Sequence, residues 1–145
     1  MLVPFHRILL FYDGSPESHR ALRCGAMLAK QMGSETHLLS FIDPGFLTAG
    51  LDVLFSVSYE VDELGAKETL LEGLKRLTEW GLIATGHCAV GNAVNEISSL
   101  AKFLNSNLIV IGHHAGGFLS RFWTEKKRIQ LLNQVTCGVL FEVAA

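Results

Sequence analysis

Residues 8–17 read ILLFYDGSPE, and this stretch decides the fold class. The unbroken apolar run Ile8–Tyr12 is typical of a strand that is buried on both faces. The next two residues, DG, end the strand. Ser15, Pro16 and Glu17 then begin a helix, because serine is a preferred N-cap, proline fits the first helical position and glutamate complements the helix dipole. The stretch therefore predicts a strand followed directly by a helix.

The same alternation of strand and helix continues along the whole chain. Strict alternation predicts an α/β fold with a parallel, doubly wound sheet that carries helices on both faces. The first and fourth strands are the most apolar, so we expect them at the centre of a five-stranded sheet of order 3-2-1-4-5. Ligands of such folds bind at the carboxyl ends of the strands beside the switch point, here between strands one and four. The predicted strands are Ile8–Tyr12, Thr36–Ile42, Leu82–Val90, Leu108–Ile111 and Gly138–Val143, and the helix before the third strand is predicted at Tyr59–Trp80.

Composition narrows the class of protein. The chain has 145 residues, of which 49% are apolar and 18% are charged, which predicts one folded domain over residues 1–145 and excludes disorder. A net charge of −2 gives no electrostatic footprint for nucleic acid. No apolar run approaches the roughly 20 residues of a membrane span, and no secretory signal is recognised. Three cysteines without a CxxC motif indicate cytosolic thiols, hence a cytoplasmic protein.

The segment Asp43–Ser58 is long for a connection between a strand and a helix, and it is apolar. A solvated loop would be polar. Three interpretations stay open: an extra helix packed on the domain, a lid over the ligand cleft, or a docking surface for a protein partner.

The ordered set of short motifs resembles the universal stress protein family. The motifs follow one another at the family's spacings. They are a strand followed by Asp13–Ser15, then Ile42–Pro44, then Gly91 before Glu96, then Leu108–Gly112, and a closing apolar strand. The similarity covers essentially the whole chain. It implies a Rossmann-like five-stranded α/β protein, usually dimeric, in a family where some members bind ATP or related nucleotides and others do not.

The resemblance also implies a phosphate loop, which this chain carries only in part. Nucleotide-binding members have the pattern G-x2-G-x9-G-(S/T) after the fourth strand, where glycines let backbone N–H groups approach the phosphates. Gly112 matches the first glycine, whereas Ala115 stands at the second position, with Gly116 following. Glu125 and Lys126 replace the final glycine and hydroxyl residue. We therefore expect ATP or AMP to bind weakly or not at all.

The candidate ligand-contacting residues lie at the carboxyl ends of strands, in the glycine-rich segment or at the start of the last helix. Asp13 is expected to orient a ribose hydroxyl or to cap the turn. The basic group around the last helix start, residues 121 and 126–128, is either an anion site or a solvated face. The residues are Asp13, Gly14, Ser15, Ile42, Gly112, His113, His114, Gly116, Gly117 and Lys126.

No catalytic residue and no metal site is predicted. Adjacent residues in a loop rarely converge on a metal, so His113 and His114 are expected to contact a ligand at most. Asp13 lacks a nucleophile motif beside it, since the chain has no GxSxG sequence.

Three functions follow, in order of preference. The first is a stress-response protein that acts through binding and dimerisation. The second is a regulatory subunit that docks a partner through Asp43–Ser58, and the third is a nucleotide hydrolase or other ATP-binding member using a rearranged glycine loop. The apolar strand Val139–Val143 lies at the predicted sheet edge, which favours a homodimer formed through that strand.

Overall fold

The computed structural model describes residues 4–42, 55–114 and 124–144. Within these ranges strands and helices alternate strictly, and the strands form one five-stranded parallel sheet. The elements are β1 (Arg7–Phe11), α1 (Pro16–Met32), β2 (Glu35–Ile42), α2 (Phe55–Glu79), β3 (Thr85–Val90), α3 (Ala93–Leu104), β4 (Leu108–His114), α4 (Glu125–Gln134) and β5 (Gly138–Ala144).

The strand order is β3-β2-β1-β4-β5, which confirms the predicted topology. Central β1 pairs with β4 through Ile8 opposite Leu108 and Leu10 opposite Val110. The edge positions of β3 and β5 are likewise those expected from the sequence. In the described part of the chain, no helix is long and apolar enough to cross a membrane.

Helix α1 begins and ends where local sequence chemistry predicts. The side chain of the N-cap Ser15 accepts a hydrogen bond of 3.1 Å from the backbone N–H of Ser18. Gly33 closes the helix in the left-handed conformation at φ 63°, which glycine adopts without steric cost. Helix α1 is therefore capped at both ends.

Three element boundaries differ from the sequence prediction by three or four residues, and the others by at most one. Helix α2 starts at Phe55 rather than Tyr59, so residues 55–58 of the long apolar segment belong to a helix, while residues 43–54 lie outside the described ranges. Strand β3 starts at Thr85 rather than Leu82. Strand β4 continues to His114, because its last residues pair with the end of β5.

The sheet separates two apolar cores. The first lies under α1 and α2, and the second under α3 and α4. The first core contains Ile8, Leu10, Tyr12, Leu22, Leu38, Leu77 and Val110, and the second contains Leu9, Phe11, Leu39, Val94, Ile97, Ile109, Ile111 and Leu131.

Leu71 of α2 does not face the sheet. Leu71 is 65% exposed, whereas Leu70, Leu74 and Leu77 pack against the first core. These three follow the helical spacing i, i+4, i+7, so the face of α2 that meets the sheet is rotated away from Leu71.

Gly73 lets α2 approach the sheet closely. A Cβ placed on Gly73 would lie 2.8 Å from both Tyr12 Cδ2 and Leu38 Cδ2, which is too close for a real side chain. Tyr12 and Leu38 are themselves fully buried. Neither can move aside without disturbing the first core.

Two glycines of α2 allow a matched test of this packing. Gly65→Ala meets nothing within 4 Å, so better helix propensity should stabilise the protein by roughly 0.5–1 kcal/mol. Gly73→Ala should instead destabilise it by about 1–3 kcal/mol, because overpacking outweighs propensity. Urea unfolding followed by circular dichroism measures both, and equal shifts of the same sign would contradict the packing described.

Candidate functional site

The turn after β1 is held by a compact set of hydrogen bonds. Asp13 Oδ1 accepts a bond of 2.8 Å from the Ser15 backbone N–H. Ser18 Oγ donates to the Ser15 carbonyl at 3.0 Å and accepts from the Asp13 N–H at 3.2 Å. Gly14 lies between them with φ 83°, a conformation that side chains rarely adopt. Asp13 and Gly14 are exposed, so this ordered turn faces solvent at the carboxyl end of β1.

Gly112 brings the end of β4 against the first turn of α1. A Cβ on Gly112 would overlap the Glu17 carbonyl group and lie 2.7 Å from the Ser18 nitrogen. Both are backbone atoms that cannot rotate away. Glycine is therefore required here for packing, independently of any ligand.

A polar network lies behind this turn. The buried Tyr12 hydroxyl donates to Glu72 Oε1 at 3.0 Å, and Arg76 Nε donates to the same oxygen at 3.2 Å. Burial, followed by the bond to Glu72, raises the pKa of Tyr12 to about 12. The ring of His19 meets the Tyr12 ring edge-on at a centroid distance of 5.6 Å. The network joins β1, α1 and α2 directly beneath Asp13.

Sequence reasoning missed this network. The spacing of Glu72 and Arg76, four residues apart on a helix, is a visible sign of an ion pair. Nothing in the sequence, however, indicates that Tyr12, 60 residues away, completes it.

The start of α4 is already occupied by the chain's own groups. Thr124 is the N-cap, and its hydroxyl oxygen accepts a bond of 3.2 Å from the Lys127 N–H. The exposed Glu125 stands in the first turn, where a carboxylate offsets the positive end of the helix dipole. The sequence motif identifies Glu125 and Lys126 here but not Thr124. The Thr124 hydroxyl lies two residues before position 126, where the nucleotide-binding pattern has its hydroxyl residue.

The remaining predicted site residues fall into three groups. Ile42 is the last residue of β2. His113 and His114 belong to β4, opposite Val143 and Ala144, and not to a loop as expected, because pairing with β5 extends the strand. Gly116 and Gly117 lie outside the described residues, as does Arg121 of the basic group. The structure thus places Gly112 against Glu17 and Ser18, in the helix turn that Ser15 caps.

The cysteines and acidic groups of the described residues offer no metal-binding cluster, and Cys24 and Cys137 are not activated thiols. The three cysteines lie in the described ranges and form no disulfide bond there. Burial, followed by the nearby Glu142 carboxylate, raises the pKa of the Cys24 thiol, and burial raises that of Cys137. Neither thiol is therefore activated as a nucleophile. Across the described residues, no cluster of three or more His, Cys, Asp or Glu could hold a metal ion.

The sequence matches a known protein family, and the fold resembles solved structures. The model of the universal stress protein family matches residues 4–141. The fold is similar to that of the hypothetical protein MJ0577, with a TM-score of 0.79, 19% identity and 99% of each chain covered. No curated protein sequence matches the chain.

Two other solved structures of similar fold contain nucleotides. One is a universal stress protein in complex with cAMP, with a TM-score of 0.69 and 15% identity over 97% of this chain and 98% of that one. The other is the universal stress protein from Archaeoglobus fulgidus in complex with dAMP, with a TM-score of 0.65 and 17% identity over 97% and 98%. At these identities the likeness concerns the fold alone.

Replacing Gly112 tests its packing role. Gly112→Ala should destabilise the ligand-free protein by about 1–3 kcal/mol, because backbone must move to admit the methyl group. Gly138→Ala on β5 is the control. Its Cβ would lie no closer than 3.4 Å to a neighbour, so the change should stay within about 0.5 kcal/mol. Unfolding in urea separates the two, and a neutral Gly112→Ala would show that the contact with α1 is loose.

Proposed function

Because the chain belongs to the universal stress protein family, we propose that it is a cytoplasmic stress-response protein that acts by binding and dimerisation rather than by catalysis. Its ligand is the adenosine part of an AMP-type nucleotide, held weakly between the carboxyl ends of β1 and β4. The observation that carries this proposal is the ordered, solvent-facing turn at Asp13, set beside Gly112 at the switch point of the sheet.

The chemistry of the turn supports a ribose contact. One oxygen of the Asp13 carboxylate is held by the Ser15 N–H, which fixes the orientation of the whole group. A carboxylate with two oxygens can then accept from a sugar hydroxyl without losing that bond. The complexes of similar folds with cAMP and dAMP are consistent with an adenosine moiety at this place.

The start of α4 argues against tight binding of a triphosphate. Thr124 and Glu125 already satisfy a backbone donor and the helix dipole, which are the features a phosphate would use. An anion arriving there meets a carboxylate. The exposed Lys126 offers a compensating charge only on a long, flexible side chain.

The proposed site consists of the residues that the sequence predicts. The phosphate end would involve Lys126 and the glycine-rich segment. The adenosine end would involve the carboxyl ends of β1, β2 and β4, namely Asp13, Gly14, Ser15, Ile42, Gly112, His113 and His114.

The edge strand β5 supports the homodimer. Val139, Leu140 and Phe141 are only half-buried, and β5 pairs with β4 alone in the sheet order. On the preceding helix α4, Ile129 and Leu132 are 51% and 54% exposed. An apolar edge without proline invites pairing with another chain. Docking of a different protein through residues 43–58 is the alternative, and residues 43–54 of that surface lie outside the described ranges.

Calorimetric titration tests the ligand. AMP should bind with a dissociation constant of about 10 µM to 1 mM, and ATP with magnesium should bind no more tightly. Asp13→Asn keeps an oxygen for the Ser15 N–H but removes the charge, and it should weaken AMP binding about tenfold. Glu68→Gln, on the exposed surface of α2, is the control and should change nothing.

Restoring the phosphate end provides a second arm. The double variant Glu125→Gly with Lys126→Ser removes the carboxylate and should strengthen ATP binding more than AMP binding. Low-micromolar ATP binding by the unmodified protein would overturn the proposal of a degraded phosphate site. Absence of any AMP binding in every variant would overturn the proposed ligand.

Sedimentation equilibrium tests the dimer. Leu140→Lys on β5 should convert a dimer into a folded monomer, because a charged edge strand resists pairing. Ile83→Lys is the matched control, since Ile83 is 88% exposed before the opposite edge strand β3. An unmodified protein that stays monomeric at its highest soluble concentration would refute the assembly.

A further inference from the structure

A chain of titratable side chains runs across three strands, from the amino ends of β1 and β2 to the middle of the edge strand β3. Arg7 Nε on β1 lies 3.2 Å from Glu35 Oε2 on β2. The same oxygen lies 2.9 Å from Nε2 of His37, and Nδ1 of His37 lies 2.9 Å from Nε2 of His87 on β3. His37 is only 7% exposed. Both nitrogens of a buried imidazole are therefore engaged by ionisable partners.

The geometry leaves room for one proton between the two imidazoles. The ring centroids of His37 and His87 are 5.1 Å apart, with an interplanar angle of 35°, so the two nitrogens face each other almost head-on. Glu35 fixes Nε2 of His37 as a donor, because a carboxylate only accepts. Nδ1 of neutral His37 must then accept from the Nε2–H of His87. The 2.9 Å between the two nitrogens leaves no space for a metal ion between them.

This hydrogen bond tolerates one added proton but not two. When His87 becomes an imidazolium, its Nε2–H still donates to neutral His37. When both rings are protonated, two N–H groups point at each other across 2.9 Å, and the bond becomes a repulsion between like charges. The contact must therefore open in the doubly protonated state.

Strand β3 is the element that this bond holds. It is an edge strand, paired with β2 alone in the sheet order, and its residues are exposed or only half-buried. Gly86 leaves one of its positions without a side chain. His37 and His87 add a cross-strand link between β2 and β3, on the face of the sheet that carries α3.

We propose that Glu35, His37 and His87 form a proton-operated latch, which holds the edge strand β3 to β2 at neutral pH and releases it when both imidazoles are protonated. The latch shares no residue with the proposed nucleotide site, which lies at the carboxyl ends of β1, β2 and β4.

The surrounding charges support this assignment. Glu35 faces the pair from β2, with Arg7 from β1 and His6 before it acting on Glu35. Hydrogen bonding to His37 holds the pKa of the Glu35 carboxyl below its ordinary value, and Arg7 acts in the same direction. The two charged residues of α3 are engaged elsewhere: Glu96 lies beside Gly91, and Lys102 lines a cavity with Gln134.

The sign of the pH dependence follows from His87. Burial, followed by the charge of His37, lowers the pKa of His87 from its ordinary 6.5. The unfolded chain therefore binds more protons than the folded one below pH 6.5. Stability is fully present above that value and is lost as pH falls through the lowered pKa, at up to tenfold in the folding constant per pH unit.

Two measurements on the full chain test the latch. Proton NMR from pH 8 to pH 5 should show the ring signals of His37 and His87 changing together as a coupled pair, with the second proton taken up as β3 opens. Hydrogen exchange, corrected for intrinsic rates, should show amides of β3 losing protection on acidification at least tenfold more than those of central β1.

Matched variants separate the latch from general acid sensitivity. His87→Gln keeps a partner for His37 but does not titrate, so it should remove the acid-induced loss of β3 protection and flatten the stability profile between pH 6.5 and 5. His19→Gln removes an imidazole on α1 that contacts Tyr12 and no latch residue, and it should leave the acid-induced loss of β3 protection unchanged. Independent titration of His37 and His87 near pH 6.5, or an unchanged acid response in His87→Gln, would overturn the proposal.

Discussion

The contact between the first turn of α1 and Gly112 of β4 organises the whole carboxyl end of the sheet. Only a residue without a Cβ lets the Glu17 carbonyl and the Ser18 nitrogen come this close to β4. The same turn is fixed by the Ser15 cap and by Asp13. The position, the capping and the exposure of the candidate ligand-binding residues therefore all depend on the close approach of the α1 backbone to Gly112.

Local chemistry made much of this fold predictable from sequence. The apolar runs of β1 and β4 and the Ser15 cap depend on neighbouring residues, and each was found where expected. The end of β4 was not predictable, because it is decided by pairing with β5. In the same way, the exposure of Leu71 depends on how α2 is rotated against the sheet, which periodicity alone leaves open by about one residue.

In the candidate site, too, local features were predictable and distant partners were not. Asp13, Ser15 and Gly112 were identified because each ends or begins an element. The partners of Tyr12 and His37 were missed, since they lie 60 and 50 residues away along the chain. A polar side chain beside an apolar run indicates that it will need a hydrogen-bond partner once it is buried. It does not indicate which residue will be that partner.

The two polar networks place different demands on the fold. Tyr12 is fully buried among apolar side chains, and its raised pKa keeps the phenol neutral at any physiological pH, so its bond to Glu72 is a permanent tie between β1 and α2. The imidazole of His87, whose pKa is lowered by burial, sits on the edge strand β3 and is bonded to His37 of β2. Protonation of both rings can therefore loosen β3 while the β1–α2 junction beside Asp13 stays fixed. The part of the molecule that responds to acid is thus separated, in strand position and in chemistry, from the part that holds the candidate ligand site.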